Sequence, residues 1–189
     1  MIVFVDLDDT FVKGVNNTWD FIYHFLKERR TIAEYMWRKL LARLVDMFPV
    51  SYAKKRVLKI LILFGLLKYK VLEKYARTIW IKRLKNNINT EILRNFHGIS
   101  LILLTACTEI PAKVISQEFG FSDCICTEFK VTRSGRIVGI KRDAFRRRKI
   151  LLLKEKFSSD VIRKSIYLTD DQEKGLFESI FKKVEYLED

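Results

Sequence analysis

The chain opens with four apolar residues, Ile2-Val3-Phe4-Val5, that run straight into Asp6-Leu7-Asp8-Asp9-Thr10. An unbroken apolar run this short has no wet face, so it reads as a strand covered on both sides. Strands of that kind belong to parallel sheets, and open α/β sheets bind ligands beyond the carboxyl ends of their strands. Asp6, Asp8 and Asp9 therefore stand where such a fold places its chemistry. Three carboxylates within four residues repel one another, and they are tolerable when solvated or when a cation gathers them. Mg2+ takes one or two carboxylates together with waters and substrate phosphate. On this stretch alone, a metal site and a solvated acidic turn are equally good readings.

The patterning downstream divides the chain. Trp19, Ile22, Tyr23 and Leu26 share one helical face behind Thr18, a residue suited to an N-cap. Thr31 predicts the start of a second helix to about Met47, with Leu40, Leu41 and Leu44 inward and Arg38, Lys39 and Arg43 largely outward. Phe48-Pro49 ends it. Further helices are predicted over 51–67 and 70–84, and no strand pattern occurs between 14 and 95. Strands are predicted at 99–105, 124–126, 165–169 and 184–186, with a hairpin over 129–140 and helices over 90–96, 110–118, 146–157 and 176–181. Strands alternating with helices predict an α/β fold, a doubly wound parallel sheet, with an all-helical segment inserted after the first strand. The expected division is a core of 1–13 and 95–189 and a helical domain of 14–94, too long for a loop.

Composition narrows the function. Only His24 and His97 are present, which argues against a His-based zinc or triad mechanism. Cys107, Cys124 and Cys126 are odd in number and lack zinc spacing. With no basic leader at the start, they predict reduced thiols and a cytoplasmic location. No run approaches the roughly 18–20 apolar residues of a spanning helix. The net charge of +13 resides between Lys27 and Lys85, where 17 Lys/Arg face 4 Asp/Glu; the remainder balances at 19 against 19. A basic surface of this kind concentrates anions. The ordinary reading of a charge run is a solvated face without a partner. The alternative is a peripheral contact with an anionic membrane through the apolar and basic stretch 52–70. A basic module for nucleic acid or membrane ranks low as a whole, because Trp37, Tyr52, Tyr69 and Trp80, which permit either, fall at helical spacings more often found in cores; nucleic acid is not the expected partner.

Asp6-Leu7-Asp8-Asp9-Thr10, behind its apolar strand, resembles the DxDxT signature of the haloacid dehalogenase-like hydrolases. The resemblance implies Asp6 as nucleophile and Asp8 as general acid and base. Thr105, in Leu103-Leu104-Thr105-Ala106-Cys107, is similar to the family's second motif, a Ser or Thr at a strand end. Its hydroxyl and the following amides, beginning with Ala106, would hold phosphate at a helix N-terminus. Lys149, with Leu153 four residues on, resembles the lysine of the phosphoserine-phosphatase-like branch, with Lys141 as the second choice. That branch carries a Gly shortly before the lysine, where this chain has Phe145-Arg146-Arg147-Arg148. Asp170-Asp171 looks like the last motif, making Asp6, Asp8, Asp170 and Asp171 the implied metal ligands. Lys174 stands where a common version of the motif has another acid. Residues 105–139 also resemble that branch, in which a helical cap follows the first strand.

What the resemblance implies is a Mg2+-dependent phosphomonoester hydrolase that forms an aspartyl-phosphate on a small or lipid-linked phosphorylated substrate. Lys13, Asn16, Asn17 and Trp19, just past the nucleophile loop, are candidates for leaving-group contact or for the cap hinge. The competing reading is a basic nucleic-acid- or membrane-binding module with a degenerate site.

Overall fold

The computed structural model describes residues 1–170 and 175–187. Its centre is β1 (Ile2–Val5), flanked by β2 (Ser100–Thr108), β3 (Asp123–Val131), β4 (Ile137–Arg142), β5 (Ile166–Thr169) and β6 (Lys183–Tyr186) in the sheet order β4-β3-β2-β1-β5-β6. Every neighbouring pair is parallel except β3 with β4. The chain adds β2 and β3 on one side of β1, then crosses to lay β5 on the other. The order therefore reverses at β1, whose carboxyl end becomes the crevice of the sheet. Val5 pairs with both Leu103 and Leu168. The residues that follow, Asp6, Thr105 and Asp170, emerge together at that end.

Side chains alternate between the two faces, as strand geometry requires. Val3, Val5, Leu101, Leu103 and Leu168 point to one face; Phe4, Ile102, Leu104 and Tyr167 point to the other. The second face is covered by α8 (Arg147–Lys156) and α9 (Ser159–Arg163) through Leu153 and Ile162, and by Phe177 and Phe181. The first is covered by α7 (Glu109–Glu118) and by the helices that lie between β1 and β2: α1 (Trp19–Arg29), α2 (Ile32–Leu44), α3 (Tyr52–Phe64), α4 (Tyr69–Tyr75), α5 (Ile81–Leu84) and α6 (Thr90–Asn95). Phe21, Phe25, Ile60, Leu63, Phe64 and Trp80 from these helices join the sheet residues in one continuous apolar cluster. The chain enters and leaves the helical segment side by side. Val12 bridges Ile88, Lys13 N–H donates to the Asn87 carbonyl at 2.8 Å, and Asn87 Nδ2 donates to the Lys13 carbonyl at 2.8 Å.

Several expectations are corrected. The strand expected to stop at Thr105 runs on to Thr108, with an irregular register between Leu104 and Thr108. The short strand at 124–126 and the first hairpin arm are one strand, β3. The stretch 176–181 forms turns rather than a helix. The fourth helix is split: a π-helical turn, Ala76–Trp80, joins α4 to α5. An unforeseen short helix, α9, is capped by Ser158, whose Oγ accepts from Val161 N–H.

The largest correction is the orientation of α2. Thr31 caps it as expected, its Oγ1 accepting from Glu34 N–H at 3.2 Å. Arg38, however, turns inward and donates through Nη1 to the carbonyls of Ile62 (2.6 Å), Leu63 (3.2 Å) and Gly65 (3.1 Å). Those are carbonyls at the end of α3 that its own helix cannot satisfy. An arginine held there fixes which side of α2 meets α3. Leu40 and Leu44 are consequently exposed, whereas Leu41 stays half-buried.

Arg56 of α3 ties the helical segment to the sheet. It is buried, its Nη1 lies 2.8 Å from buried Asp143, and its Nη2 donates to the carbonyl of Ala106. Removing one partner of a buried pair leaves the other charge uncompensated, at a cost of about 3 kcal/mol or more. Arg56→Met should lower the unfolding free energy in urea by that amount. Lys59→Met, on the same helix but paired with exposed Asp46, should change it by less than about 1 kcal/mol. Equal effects would remove Arg56 as the strut.

Candidate active site

Asp6 follows directly on β1 and shares the Phe4 face, so it points under α8 rather than toward the helical segment. It is 8% exposed. Its Oδ2 accepts from Lys149 Nζ at 2.7 Å, Tyr167 Oη at 3.0 Å and, more distantly, Thr169 Oγ1 at 3.5 Å; its Oδ1 accepts from Leu7 N–H at 2.8 Å. Lys149 Nζ also donates to Tyr167 Oη at 3.0 Å. Burial works against the Lys149 charge, but the Asp6 carboxylate beside it more than offsets that and holds the ammonium above the ordinary lysine range. Burial, then Asp6, pushes the Tyr167 phenol upward as well. Lys141, the second choice, sits exposed on β4 beside Glu128 and takes no part.

Asp8 turns the other way. Its Oδ1 accepts from both the backbone N–H and the Nδ2 of Asn17, each at 2.9 Å. Asn17 is fully buried, and its Oδ1 accepts from Trp80 Nε1 at 3.3 Å. Trp80 ends the π-helical turn, so the wide turn in the fourth helix places the indole that orients the amide that holds the acid. Asp8 is raised to about 7, foremost by burial, against the Asn17 hydrogen bonds and with help from Asp6 and Asp9. A carboxyl poised there can give and take a proton near neutrality.

Asp170 reaches the same end of the sheet. Its Oδ1 accepts from Thr10 Oγ1 at 2.8 Å, and its N–H donates to the same hydroxyl at 2.9 Å. Burial, and then Asp6, raise it, while the Thr10 bond pulls the other way. The acidic loop and the last strand are thus sewn together through Thr10. Asp171 and Lys174 lie outside the described residues. Among the described residues no three acidic, His or Cys side chains close on a point. Mg2+ needs only one or two carboxylates, and Asp6 and Asp170, hard oxygen donors of which the charge of the first raises the second, fit that requirement.

Thr105 is buried and its Oγ1 accepts from Cys107 N–H at 3.0 Å. It sits in the irregular part of β2, and the helix N-terminus expected beside it lies further on. α7 begins at Glu109 behind Thr108, whose buried hydroxyl has no hydrogen-bond partner among the described residues. The Ala106 carbonyl accepts from Thr127 Oγ1 at 2.9 Å as well as from Arg56. Thr18 is not a side-chain cap for α1; its Oγ1 accepts from Thr108 N–H at 3.1 Å.

The candidates for leaving-group contact have other employment. Asn17 is buried and positions Asp8, so it is not an open contact. Lys13 is exposed, and its backbone pairs with Asn87 where the chain enters and leaves the helical segment. Asn16 Oδ1 accepts from Trp19 N–H at 3.2 Å, and the half-buried Trp19 packs against the apolar cluster. Sequence reading missed Thr10, Tyr167, Thr169 and Arg56. Tyr167 and Thr169 could have been found as polar-tipped residues alternating along an otherwise apolar strand; nothing local marks Arg56.

Arg146, three residues before Lys149, takes φ 53° and ψ −129°. That region favours glycine, and another residue is strained there by about 1–3 kcal/mol. The Arg146 guanidinium lies 5.2 Å from the Phe145 ring centre and 5.8 Å from that of Tyr52.

Asp8 gives a stability signature. Between about 4 and about 7 the folded chain keeps a proton that the unfolded chain has lost. The group's contribution to stability therefore falls as pH rises through that window. In metal-free buffer the unfolding free energy should drop by a few kcal/mol, on the order of 1.4 per unit of separation. Asp8→Asn keeps the acceptor for Asn17 and should flatten the slope, leaving the variant more stable than wild type at about pH 8. Parallel pH profiles would contradict the assignment.

Known structures share this arrangement of strands and helices. A protein of unknown function from Bordetella pertussis Tohama I superposes with a TM-score of 0.69 at 16% identity, over 89% of this chain and 81% of that one. A probable phosphoserine phosphatase from Vibrio cholerae gives 0.64 at 8% identity, over 97% of this chain, which spans about half (55%) of that longer protein. A phosphoserine phosphatase solved as a phospho-aspartyl intermediate analogue gives 0.51 at 13% identity, over 100% and 94%. A search of curated protein sequences returns no match. The family model for haloacid dehalogenase-like hydrolases matches residues 3–182. On that match, which runs from β1 to the last turns before β6, the chain belongs to the haloacid dehalogenase-like hydrolase family.

Proposed function

We propose that the chain is a phosphomonoester hydrolase that works through an aspartyl-phosphate on Asp6. The observation that carries this reading is the buried Asp6 carboxylate, its charge balanced by Lys149 at 2.7 Å, with a second carboxyl raised to about 7 two residues away. Lys149 and Tyr167 occupy Oδ2, so Oδ1, which among the described residues accepts the Leu7 amide alone, is the oxygen offered to phosphorus. As that bond forms, the bond from phosphorus to the leaving oxygen breaks and Asp8 delivers its proton to that oxygen. Water then attacks phosphorus and returns a proton to Asp8, and the bond to Asp6 breaks to free inorganic phosphate. A second acid in the loop suits this double proton transfer. Asp170, the Asp8 carbonyl and Asp6 Oδ2, the last freed as Lys149 turns to the phosphate, would hold Mg2+, and the ion would offset the repulsion between nucleophile and phosphate. Thr105, Ala106 and Lys149 are the proposed phosphate contacts.

The helical segment 14–94 serves as the cap. Between Ala53 of α3 and the run Phe145, Arg146, Arg147 and Arg148 lies a cavity of about 770 Å3, closed on another side by Gly175 and Leu176. Arg146, Arg147 and Arg148 immediately precede Lys149 in the chain. Asp143 lines the cavity too, paired with Arg148 at 3.0 Å, and the excess of guanidinium groups over this one acid supports a phosphorylated, anionic small molecule as substrate.

With p-nitrophenyl phosphate and Mg2+, Asp6→Asn should lower kcat by about a thousandfold or more, a loss typical of deleting a nucleophile. EDTA should silence the wild type and Mg2+ restore it. Tyr167→Phe, which removes one donor to Asp6, should retain measurable turnover at a several-fold cost. An Asp6→Asn variant as active as wild type would refute the mechanism.

A further inference from the structure

The helical segment carries a surface that the hydrolase chemistry does not use. Along α2, Ile32, Met36, Leu40 and Leu44 recur every four residues with Trp37 beside them, and all five are exposed, Ile32 by 82% and Trp37 by 61%. At about 100° per residue they span roughly 140° of the helix. Met47 and Phe48, just beyond it, are exposed too. Scattered exposed apolar residues need no explanation, but a contiguous stripe does. It exists because Arg38 and Glu34, paired at 3.1 Å, take the side that meets α3. No acid falls within the exposed arc, and Lys39 and Arg43 stand at its edge.

A second feature adjoins it. Where α1 runs into α2, Arg29 and Arg30 enter the wall of a cavity of about 610 Å3 that also draws Lys68, Lys74 and Arg136. No acidic residue lines it. Leu66 and Val71, both exposed, supply an apolar rim.

An occupant must match both an apolar stripe and a concentration of positive charge. A second copy of the chain would oppose one segment of net +13 to another, which disfavours pairing through this face. No helix among the described residues is long and apolar enough to cross a membrane, so a spanning role does not fit either. A 13-residue helix, about 20 Å long, with large apolar residues on one arc and cations at its margins, has the form of helices that lie in a lipid interface. Trp37 is the kind of side chain that collects at that depth. We propose that α2 rests on an anionic lipid surface, its apolar stripe in the headgroup–acyl boundary and the neighbouring basic cavity receiving lipid phosphate. The surface and the catalytic site are separate, so either can fail without the other.

The test is co-sedimentation of the full chain with phosphatidylcholine vesicles, with and without phosphatidylglycerol, at low and raised salt. Binding should require the anionic lipid and weaken with salt. Met36→Ser, Trp37→Ser and Leu40→Ser together should reduce it by about tenfold or more, with the thermal melt preserved because these side chains are exposed. Arg29→Gln with Lys74→Gln should weaken it by roughly fivefold per cation and flatten the salt dependence. Tryptophan emission should shift to the blue on vesicles, and Trp37→Phe should abolish the shift. A wild type that stays in the supernatant at low salt would overturn the proposal, as would binding unaffected by the triple substitution. A dimer in light scattering that the triple substitution disperses would assign the stripe to a second copy instead.

Discussion

A lysine and an aspartate, 2.7 Å apart and almost out of reach of water, sit where three parallel strands of the sheet end. Burying two ions costs several kcal/mol each, and their attraction recovers that only when the remaining hydrogen-bonding capacity is also used. Here the Leu7 amide and the Tyr167 phenol, with the Thr169 hydroxyl at longer range, complete the set around Asp6. A hydrophobic pair of the same volume would have served stability as well or better. Stability alone does not account for the ion pair, which is held in place by the central strand and by the first turns of α8.

The fold was legible wherever local pattern and burial coincide. The apolar run before Asp6, the runs around Leu103 and Leu168, and the capping Thr31 all lie where their sequences put them. The positions of Asp6, Lys149 and Asp170 along the chain were legible because strand ends and a helix start fix them, whereas Thr105 lies inside β2 rather than at its end. Departures arose where long-range contacts override local preference. Periodicity turned the leucines of α2 inward; the carbonyls at the end of α3 needed Arg38 more, and Leu40 and Leu44 went to solvent. Asn17 looked like a residue beside an open site, but Trp80, brought round by a π-helical turn 63 positions later, claims its amide. Arg56 was one of many cations until Asp143 gave it a partner.

Two costs accompany the site. Asp8 is held where its charge is disfavoured, which costs stability above neutrality. Arg146 adopts a backbone conformation better suited to glycine, one turn before the lysine that pairs with Asp6. Its guanidinium lies over rings contributed by Phe145 beside it and by Tyr52 of the helical segment. The strained turn thus links the start of α8 to α3 of the helical segment. Strain of this kind persists only where surrounding contacts over-determine it.

The central claim is that Asp6 carries the phosphoryl group during turnover. Mixing the Mg2+-loaded protein with a phosphate monoester, quenching in acid within the first turnover and mapping peptides by mass tests it most directly. A single phosphate on the amino-terminal peptide, assigned to Asp6 and absent from Asp6→Asn, is the expected result. Steady hydrolysis with no phosphate trapped on that peptide, or with phosphate on another residue, would contradict it.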